Sequence, residues 1–185
     1  MEPVTSGGPM DQRERPEVFG CKAPYLPLAS RADVLVFQTE PLAEDVVVAG
    51  PVVAELWIAT DGPDTDITAK LLDVYPSSTG WPQGFAMNLC EGILRCRYRD
   101  DPADPKPMEP GRPTKIRVEL FPTANRFLAG HRIRLDISAS EFPHYDLNPQ
   151  TGEAEGKWLR MRSAVNALFV DAGRPSCVVL PLLPA

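Results

Sequence analysis

The sequence predicts an all-β protein, an antiparallel β-sandwich or jelly roll. Short apolar runs recur along the chain, several of them alternate apolar and polar residues, and each ends at turn residues. Proline accounts for 21 of the 185 residues, roughly twice its average share, and it separates the apolar runs instead of forming a tract. About eight strands joined by proline- and glycine-rich connections are the expected result. Helical periodicity is weak, with at most a turn in TANRFLAG (123–130) and a short helix in GKWLRMRSAVNALF (156–169).

The first half of the chain divides into an arm and the opening strands. Residues 1–32 are polar, contain proline and show no sustained period, so they are predicted to be an extended N-terminal arm or linker, with the sandwich spanning 33–185. DVLVFQTEPL (33–42) is predicted to be a strand that stops at Pro41. EDVVVAGPVVAELWIAT (44–60) is predicted to hold two strand segments broken at Gly50-Pro51.

The middle of the chain continues the pattern. Asp61-Gly62-Pro63-Asp64 indicates a turn, and TDITAKLLDVYP (65–76) indicates the strand after it. GFAMNLCEGILRCRYRD (84–100) is typical of a hairpin turning at Glu91-Gly92. Its second half alternates between two faces, Leu94, Cys96 and Tyr98 on one and Arg95, Arg97 and Arg99 on the other.

The last strands follow a loop at 102–113 that carries five prolines. Two runs then alternate, TKIRVELF (114–121) and RIRLDIS (132–138). Their inward residues are predicted to be Ile116, Val118 and Leu120 in the first, and Ile133, Leu135 and Ile137 in the second. ALFV (167–170) and CVVLPLL (177–183) supply the final strands.

Composition excludes several classes of function. A net charge of −6 argues against non-specific binding to nucleic acid or to an anionic membrane, because both need clustered positive charge. No apolar run approaches the roughly 20 residues of a spanning helix, and the N-terminus lacks the apolar region of a secretory signal. The chain is therefore expected to be cytoplasmic.

The cysteines and acids do not form a recognisable metal motif. Cys21, Cys90, Cys96 and Cys177 contain no CxxC pair, and reduced core residues are the expectation. The acidic group Asp61/Asp64/Asp66 could hold a calcium ion, but it lacks the EF-hand spacing and is better explained as a capped turn. No cofactor and no metal are predicted.

The segment GHRIRLDISASEFPHYDLNP (130–149) contains both histidines together with serines and acids, the residue types of a catalytic triad. Strand alternation, however, spaces Asp136 and Ser138 about 7 Å apart on one face, and the histidines fall at the two ends. The strained G-x-S-x-G elbow of serine hydrolases is missing from the sequence. We therefore assign no catalytic residue; His131 is interpreted as a structural histidine, and Asp136 as the partner of a neighbouring arginine.

Four residues are candidates for contacts with a substrate or another domain. The loop EFPHYDLNP (141–149) carries Phe142, His144 and Tyr145, and such loops on a rigid scaffold tend to make contacts. Trp57 alternates away from its apolar neighbours, which indicates cover from outside its sheet. Two alternatives stay open: the arginine row at 95, 97 and 99 could grip an anion or pair with Asp66 or Asp73, and tryptophans 57, 81 and 158 could stack on sugars.

Several segments resemble one family of hydrolases in order along the chain. They are residues 33–76, EGILRCRYRD (91–100), FPTANRFLAGHRIRLDISASEFPHYDLNPQTGE (121–153) and RPSCVVLPLLP (174–184). This pattern, from about Gly8 to Pro184, resembles the C-terminal domain of the cocaine-esterase/X-prolyl dipeptidyl-peptidase family. His144 departs from it, because relatives often carry arginine after the Phe-Pro pair, and a pH-sensitive contact there is conceivable.

The resemblance implies that catalysis belongs to another domain and not to this one. Members of that family are serine hydrolases with an α/β-hydrolase domain, a helical cap and a C-terminal jelly roll, and their triad lies in the α/β domain. The resemblance also implies that this jelly roll is galactose-binding-domain-like. The implied function is that of a non-catalytic domain that stabilises the enzyme and completes its substrate pocket. Its partner would be an α/β-hydrolase catalytic domain, in the parent chain or as a separate subunit, and a homo-oligomer stays open. The alternative is a free-standing carbohydrate- or ligand-binding module.

Overall fold

The computed structural model describes residues 12–19 and 26–183. It contains a short helix, α1 (Pro16–Phe19), two 3-10 turns (Leu28–Ser30 and Cys96–Tyr98) and eight strands. The strands are β1 (Val34–Gln38), β2 (Val46–Thr60), β3 (Asp66–Tyr75), β4 (Phe85–Arg95), β5 (Thr114–Phe127), β6 (Arg132–Ser138), β7 (Asn166–Phe169) and β8 (Cys177–Val179). Within these ranges no helix is long and apolar enough to cross a membrane.

The strands form two sheets with antiparallel pairing throughout. The first sheet has the order β1-β6-β3-β4; the second has the order β5-β2-β7, and β8 pairs with β2 beside β7. The all-β antiparallel sandwich predicted from the sequence is confirmed. The finer jelly-roll and galactose-binding labels stay predictions.

The hydrophobic core lies between the two sheets. Alternate residues of facing strands enter it, among them Leu56 and Val118 from the second sheet and Leu71 from the first. The inward residues predicted for β5, Ile116, Val118 and Leu120, are all buried, and in β6 Leu135 and Ile137 are buried while Ile133 is partly so. Strand alternation therefore located the core face correctly.

Phe127, at the end of β5, is fully buried in this core. We expect Phe127→Ala to lower the free energy of unfolding by about 3–5 kcal/mol, because it removes a large apolar contact and leaves a cavity. Urea denaturation measures the change. Phe121 on the same strand is 65% exposed, so Phe121→Ala is the matched control and should change stability little. Equal effects of the two substitutions would contradict this packing.

The predicted break at Gly50-Pro51 is wrong. Strand β2 runs without interruption through 15 residues, and its register against β5 shifts between Gly50 and Val52. A bulge leaves a position without a ladder hydrogen bond, where the missing N–H of Pro51 costs nothing. Gly50 has φ +135°, which residues with a side chain rarely adopt.

The predicted hairpin at Glu91-Gly92 is also wrong, because β4 is one strand of 11 residues that passes straight through this pair. A Cβ on Gly92 would lie 2.1 Å from the carbonyl oxygen of Glu119 on β5. The glycine therefore marks a close approach of two backbones and not a turn. Beyond Arg95 the predicted alternation stops in a 3-10 turn, and Cys96 and Arg97 are both buried.

Neither of the two segments with weak helical periodicity forms a helix. The segment 123–130 mostly continues β5, which ends at Phe127. The segment 156–169 contains no helix; it is irregular until β7 begins at Asn166. The eight strands and the final pair β7 and β8 agree with the prediction.

The first sheet is covered on its outer face as well. All residues of β3 from Asp66 to Asp73 are buried, although alternate ones point away from the core. Lys70 lies on that outer face and is only 3% exposed. The cover comes from the N-terminal segment, whose Glu14 pairs with the outward-facing Arg134, and from the loop after β6, whose Glu141 pairs with Lys70. Strand β1 begins at Val34, next to the predicted boundary at 32/33; the division into arm and sandwich stays a prediction.

Candidate interdomain surface

The outer face of the first sheet, with the loop that crosses it, carries three of the four predicted contact residues. Phe142, His144 and Tyr145 follow β6 in the loop 139–150, and His144 reaches Glu91 on β4. Trp57 lies elsewhere. It stands on β2 between Leu56 and Ile58, which enter the core, so it points outward from the second sheet. The structure thus brings the loop residues together and leaves Trp57 on the other side of the sandwich.

Across the second sheet Trp57 pairs in register with Lys115 on β5 and with Phe169 on β7. On the same sheet Lys115 pairs with Glu55 at 2.7 Å, and the guanidinium of Arg174 lies 3.9 Å over the ring of Phe169. Trp57 is half-buried among these groups, and its backbone N–H donates to Ser176 Oγ. Its assignment as a contact residue remains a prediction.

Charged groups hold the loop 139–150, here called the aromatic loop, onto the first sheet. His144 Nδ1 lies 2.6 Å from Glu91 Oε1, and the backbone N–H of His144 donates to the carbonyl of Glu141 at 2.8 Å. Below them Glu141 is 2% exposed, with its Oε1 3.6 Å from Nζ of the buried Lys70. Phe142 remains 37% exposed. The loop therefore exposes the Phe142 side chain, while the contacts of His144 and Glu141 hold its backbone on the sheet.

Burial raises the pKa of the Glu141 carboxyl above its ordinary value of 4.5, against a lowering effect of Lys70. A carboxyl whose pKa is higher in the folded protein than in the unfolded chain binds more protons in the folded state. The free energy of unfolding therefore falls as pH rises from the unfolded pKa to the folded pKa. We expect Glu141→Gln to remove this contribution. The unfolding free energy of the variant should fall less steeply than that of the wild type as pH rises from 4.5.

Urea titrations at several pH values between about 4 and 7 measure the two slopes, with each unit of pKa elevation equivalent to about 1.4 kcal/mol. The neighbouring charged groups, Lys70, Glu91 and His144, are present in both proteins, so the difference between the two slopes reports the Glu141 carboxyl together with its coupling to these groups. Parallel curves would contradict the expectation.

A buried network of acids and arginines anchors the same loop further along. Arg97 donates to Asp64 through Nε at 2.6 Å and through its backbone N–H at 3.0 Å. Arg95 donates to Asp66 through Nε and Nη2 at 3.0 and 3.2 Å. Asn148, from the loop, donates Nδ2 to both carboxylates, at 2.9 and 2.7 Å. One amide thus fastens the loop to the start of β3.

This network decides between the alternatives for the arginine row. Pairing of Arg95 with Asp66 is confirmed. The other suggested acid, Asp73, is not its partner, because Asp73 accepts from Asn125 and lies 2.9 Å from His131 Nδ1. Among the residues that the structure describes, no group of His, Cys, Asp and Glu could hold a metal ion. Asn148 was missed by sequence reasoning, since nothing local marks an amide that will meet buried carboxylates.

The residues that resemble a triad are dispersed. His131 is 6% exposed and pairs with Asp73 beneath the ring of Tyr75, whose centroid lies 4.3 Å away. Asp136 accepts from Arg134 at 2.7 Å, and Ser138 Oγ donates to the carbonyl of Asp33. The interpretation of His131 as structural and of Asp136 as an arginine partner is confirmed.

The N-terminal segment adds contacts that sequence reasoning also missed. Glu14 Oε2 lies 2.7 Å from Arg134 Nη1, with both side chains 8% exposed, and Glu14 Oε1 accepts from the backbone N–H of Leu28. The guanidinium of Arg13 lies 4.4 Å over the ring of Trp81. Long-range partners of this kind leave no local sequence signal.

Comparisons with known proteins agree with this architecture. The sequence model of one protein family, the X-Pro dipeptidyl-peptidase C-terminal non-catalytic domain, matches residues 9–179 of this chain. The cocaine esterase of Rhodococcus sp. (strain MB1 Bresler) is 39% identical over 178 residues, which are 95% of this chain and 28% of the esterase.

Two solved structures share the fold and more than 30% of the sequence. An aminopeptidase from a marine sediment Thaumarchaeota archaeon superposes with a TM-score of 0.80 and 33% identity, covering 100% of this chain and 33% of its own. An alpha-amino acid ester hydrolase superposes with a TM-score of 0.76 and 31% identity, covering 99% and 32%. The chain therefore spans about a third of the length of these proteins. It belongs to the X-Pro dipeptidyl-peptidase C-terminal non-catalytic domain family, as its sequence segments indicated.

Proposed function

We propose that this chain serves as the non-catalytic domain of an α/β-hydrolase-type serine hydrolase, and that it stabilises the catalytic domain and completes its substrate pocket. The observation that carries the proposal is the family match over residues 9–179, together with relatives in which the matched part is about a third of a longer hydrolase. The names of those relatives indicate esters and peptides as the substrate classes of the whole enzyme.

The docking surface that we propose is the aromatic loop. Its exposed Phe142 and half-buried Tyr145 stand on a base held by His144, Glu141 and Asn148. A pre-organised surface loses little conformational entropy on association, which favours binding of another domain. Trp57, on the second sheet, would serve a separate contact.

The isolated chain is expected to show no hydrolysis of p-nitrophenyl esters or X-Pro p-nitroanilides above buffer background. The physical reason is that neither serine of the triad-like segment pairs with a histidine base. Ser138 Oγ donates to Asp33 and Ser140 Oγ accepts from the N–H of Phe142, while the two histidines pair with Asp73 and Glu91. Turnover abolished by a fluorophosphonate would defeat the proposal. Replacement of Ser138 and Ser140 by alanine would then show whether this segment is responsible.

A free-standing carbohydrate- or ligand-binding module is not favoured, because the relatives carry the matched part within a hydrolase. We also propose a cytoplasmic location. It is supported by the thiols of Cys90, Cys96 and Cys177, none of which forms a disulfide within the described part of the chain, since disulfides are rare in reducing compartments. Cys90 and Cys96 are buried as expected, whereas Cys177 is exposed and not a core residue.

A further inference from the structure

A pocket of about 280 Å³ lies between the end of β4 and the loop segment 145–155. Small-molecule sites usually enclose roughly 300–1,000 Å³, so this pocket lies at the lower end of that range and has room for one amino-acid side chain. The residues that matter for its chemistry are Asp66, Arg95, Tyr98, Tyr145, Asp146 and Glu155.

The charges in the pocket favour a cation. Arg95 donates to Asp66 through Nε and Nη2 and to Glu155 through Nη1, so each nitrogen of its guanidinium is already engaged with a carboxylate. Asp146 is exposed and makes no ion pair within the described parts of the chain. Three carboxylates against one guanidinium leave an excess of negative charge, which repels an anion and attracts a cation.

Two aromatic rings narrow the choice of cation. Tyr98 and Tyr145 line the same pocket, and the face of an aromatic ring attracts a cation through its quadrupole. A guanidinium stacks on such rings and also donates to carboxylates in parallel pairs, whereas an ammonium acts as a point charge. Planar geometry and charge together favour arginine.

We propose that this pocket receives an arginine side chain of the catalytic domain with which the chain associates. The identity of the partner rests on the proposed function; the chemistry of the pocket does not. Tyr145 and Asp146 belong to the aromatic loop, so the pocket extends the docking surface proposed above. An exposed carboxylate facing a partner's guanidinium contributes to the choice and orientation of the partner more than to affinity.

The test uses the whole chain and a defined probe. N-acetyl-L-arginine methylamide is titrated into the isotope-labelled protein at low salt, and the backbone amide shifts of Arg95, Tyr98 and Asp146 are followed by NMR. The citrulline analogue has nearly the same shape without the charge. We expect saturable shifts with the arginine probe and binding at least about fivefold weaker with the citrulline probe.

Two variants complete the test. Asp146→Asn should weaken arginine binding about threefold or more, whereas Glu44→Gln, which changes the net charge equally on an exposed connection after β1, should leave it unchanged. The absence of saturable shifts, equal binding of citrulline, or insensitivity to Asp146→Asn would each overturn the proposal. Such a failure would leave the proposed function standing, because that is tested by the esterase assay; hydrolysis by the isolated chain would defeat the function without affecting the pocket.

Discussion

Asp64→Ala is expected to destabilise the protein by about 3–5 kcal/mol, the usual cost of removing one partner from a buried ion pair. Asp64 is fully buried and accepts three hydrogen bonds, two from Arg97 and one from Asn148. Its removal leaves the Arg97 guanidinium, whose side chain is 10% exposed, without its closest counter-charge. Urea denaturation at neutral pH measures the loss.

The matched control is Glu55→Ala, which removes an exposed carboxylate paired with Lys115 on the second sheet. Its effect should be small, because solvent screens such pairs. A double-mutant cycle between Asp64→Ala and Arg97→Ala separates the pair energy from other losses. Asn148 then keeps only its bond to Asp66, so proteolytic cleavage within 141–156 should also increase. A stability change of Asp64→Ala no larger than that of the control would contradict the buried network.

Gly92→Ala is the second substitution with a large expected effect. The added Cβ would lie 2.1 Å from the Glu119 oxygen and 2.8 Å from the Glu119 carbonyl carbon. Both are backbone atoms, so the strain can be relieved only if β4 and β5 move apart. Overpacking in a core typically costs about 1–3 kcal/mol, and a backbone neighbour puts this site at the upper end or beyond.

Gly80→Ala provides the matched control, because no atom lies within 4 Å of the Cβ position and the residue is in a loop. It should leave the thermal midpoint nearly unchanged, while Gly92→Ala lowers it by several degrees. Wild-type stability of Gly92→Ala would show that the two strands are not in contact at this point.

The strands were predictable where the signal is local. Strands β5 and β6 alternate apolar and polar residues, and their inward residues Val118 and Leu135 are buried as predicted. The two errors have one cause. The sequence pattern predicts strand interruptions at Gly50 and Gly92, but the first lies at a bulge and the second at a close contact with another strand. A glycine in a strand pattern has several structural explanations, and the choice depends on a neighbour distant in sequence.

The candidate site was predictable only in part. Phe142, His144 and Tyr145 are close in sequence, so a shared loop brings them together in any fold. Asn148 and Asp64 are 84 residues apart, and their contact depends on which strands pair and in which register. The separation of Trp57 from the loop likewise follows from its strand belonging to the other sheet.

The amino-acid sequence by itself determined the all-β class, the alternation of the strands, the likeness to one hydrolase family and the unsuitability of residues 130–149 as a triad. The class, the alternation and the rejection of a triad rest on local geometry, since alternation and turn formation involve only neighbouring residues. The family likeness rests on a resemblance of several segments in order along the chain. Tertiary structure alone decided that Asp64, Lys70 and Glu141 are buried, that Arg97 leaves its predicted face, and that a tyrosine-lined acidic pocket forms beside the loop. Burial of charge and the pairing that compensates it depend on segments far apart in the chain, because a side chain is desolvated by whatever covers it.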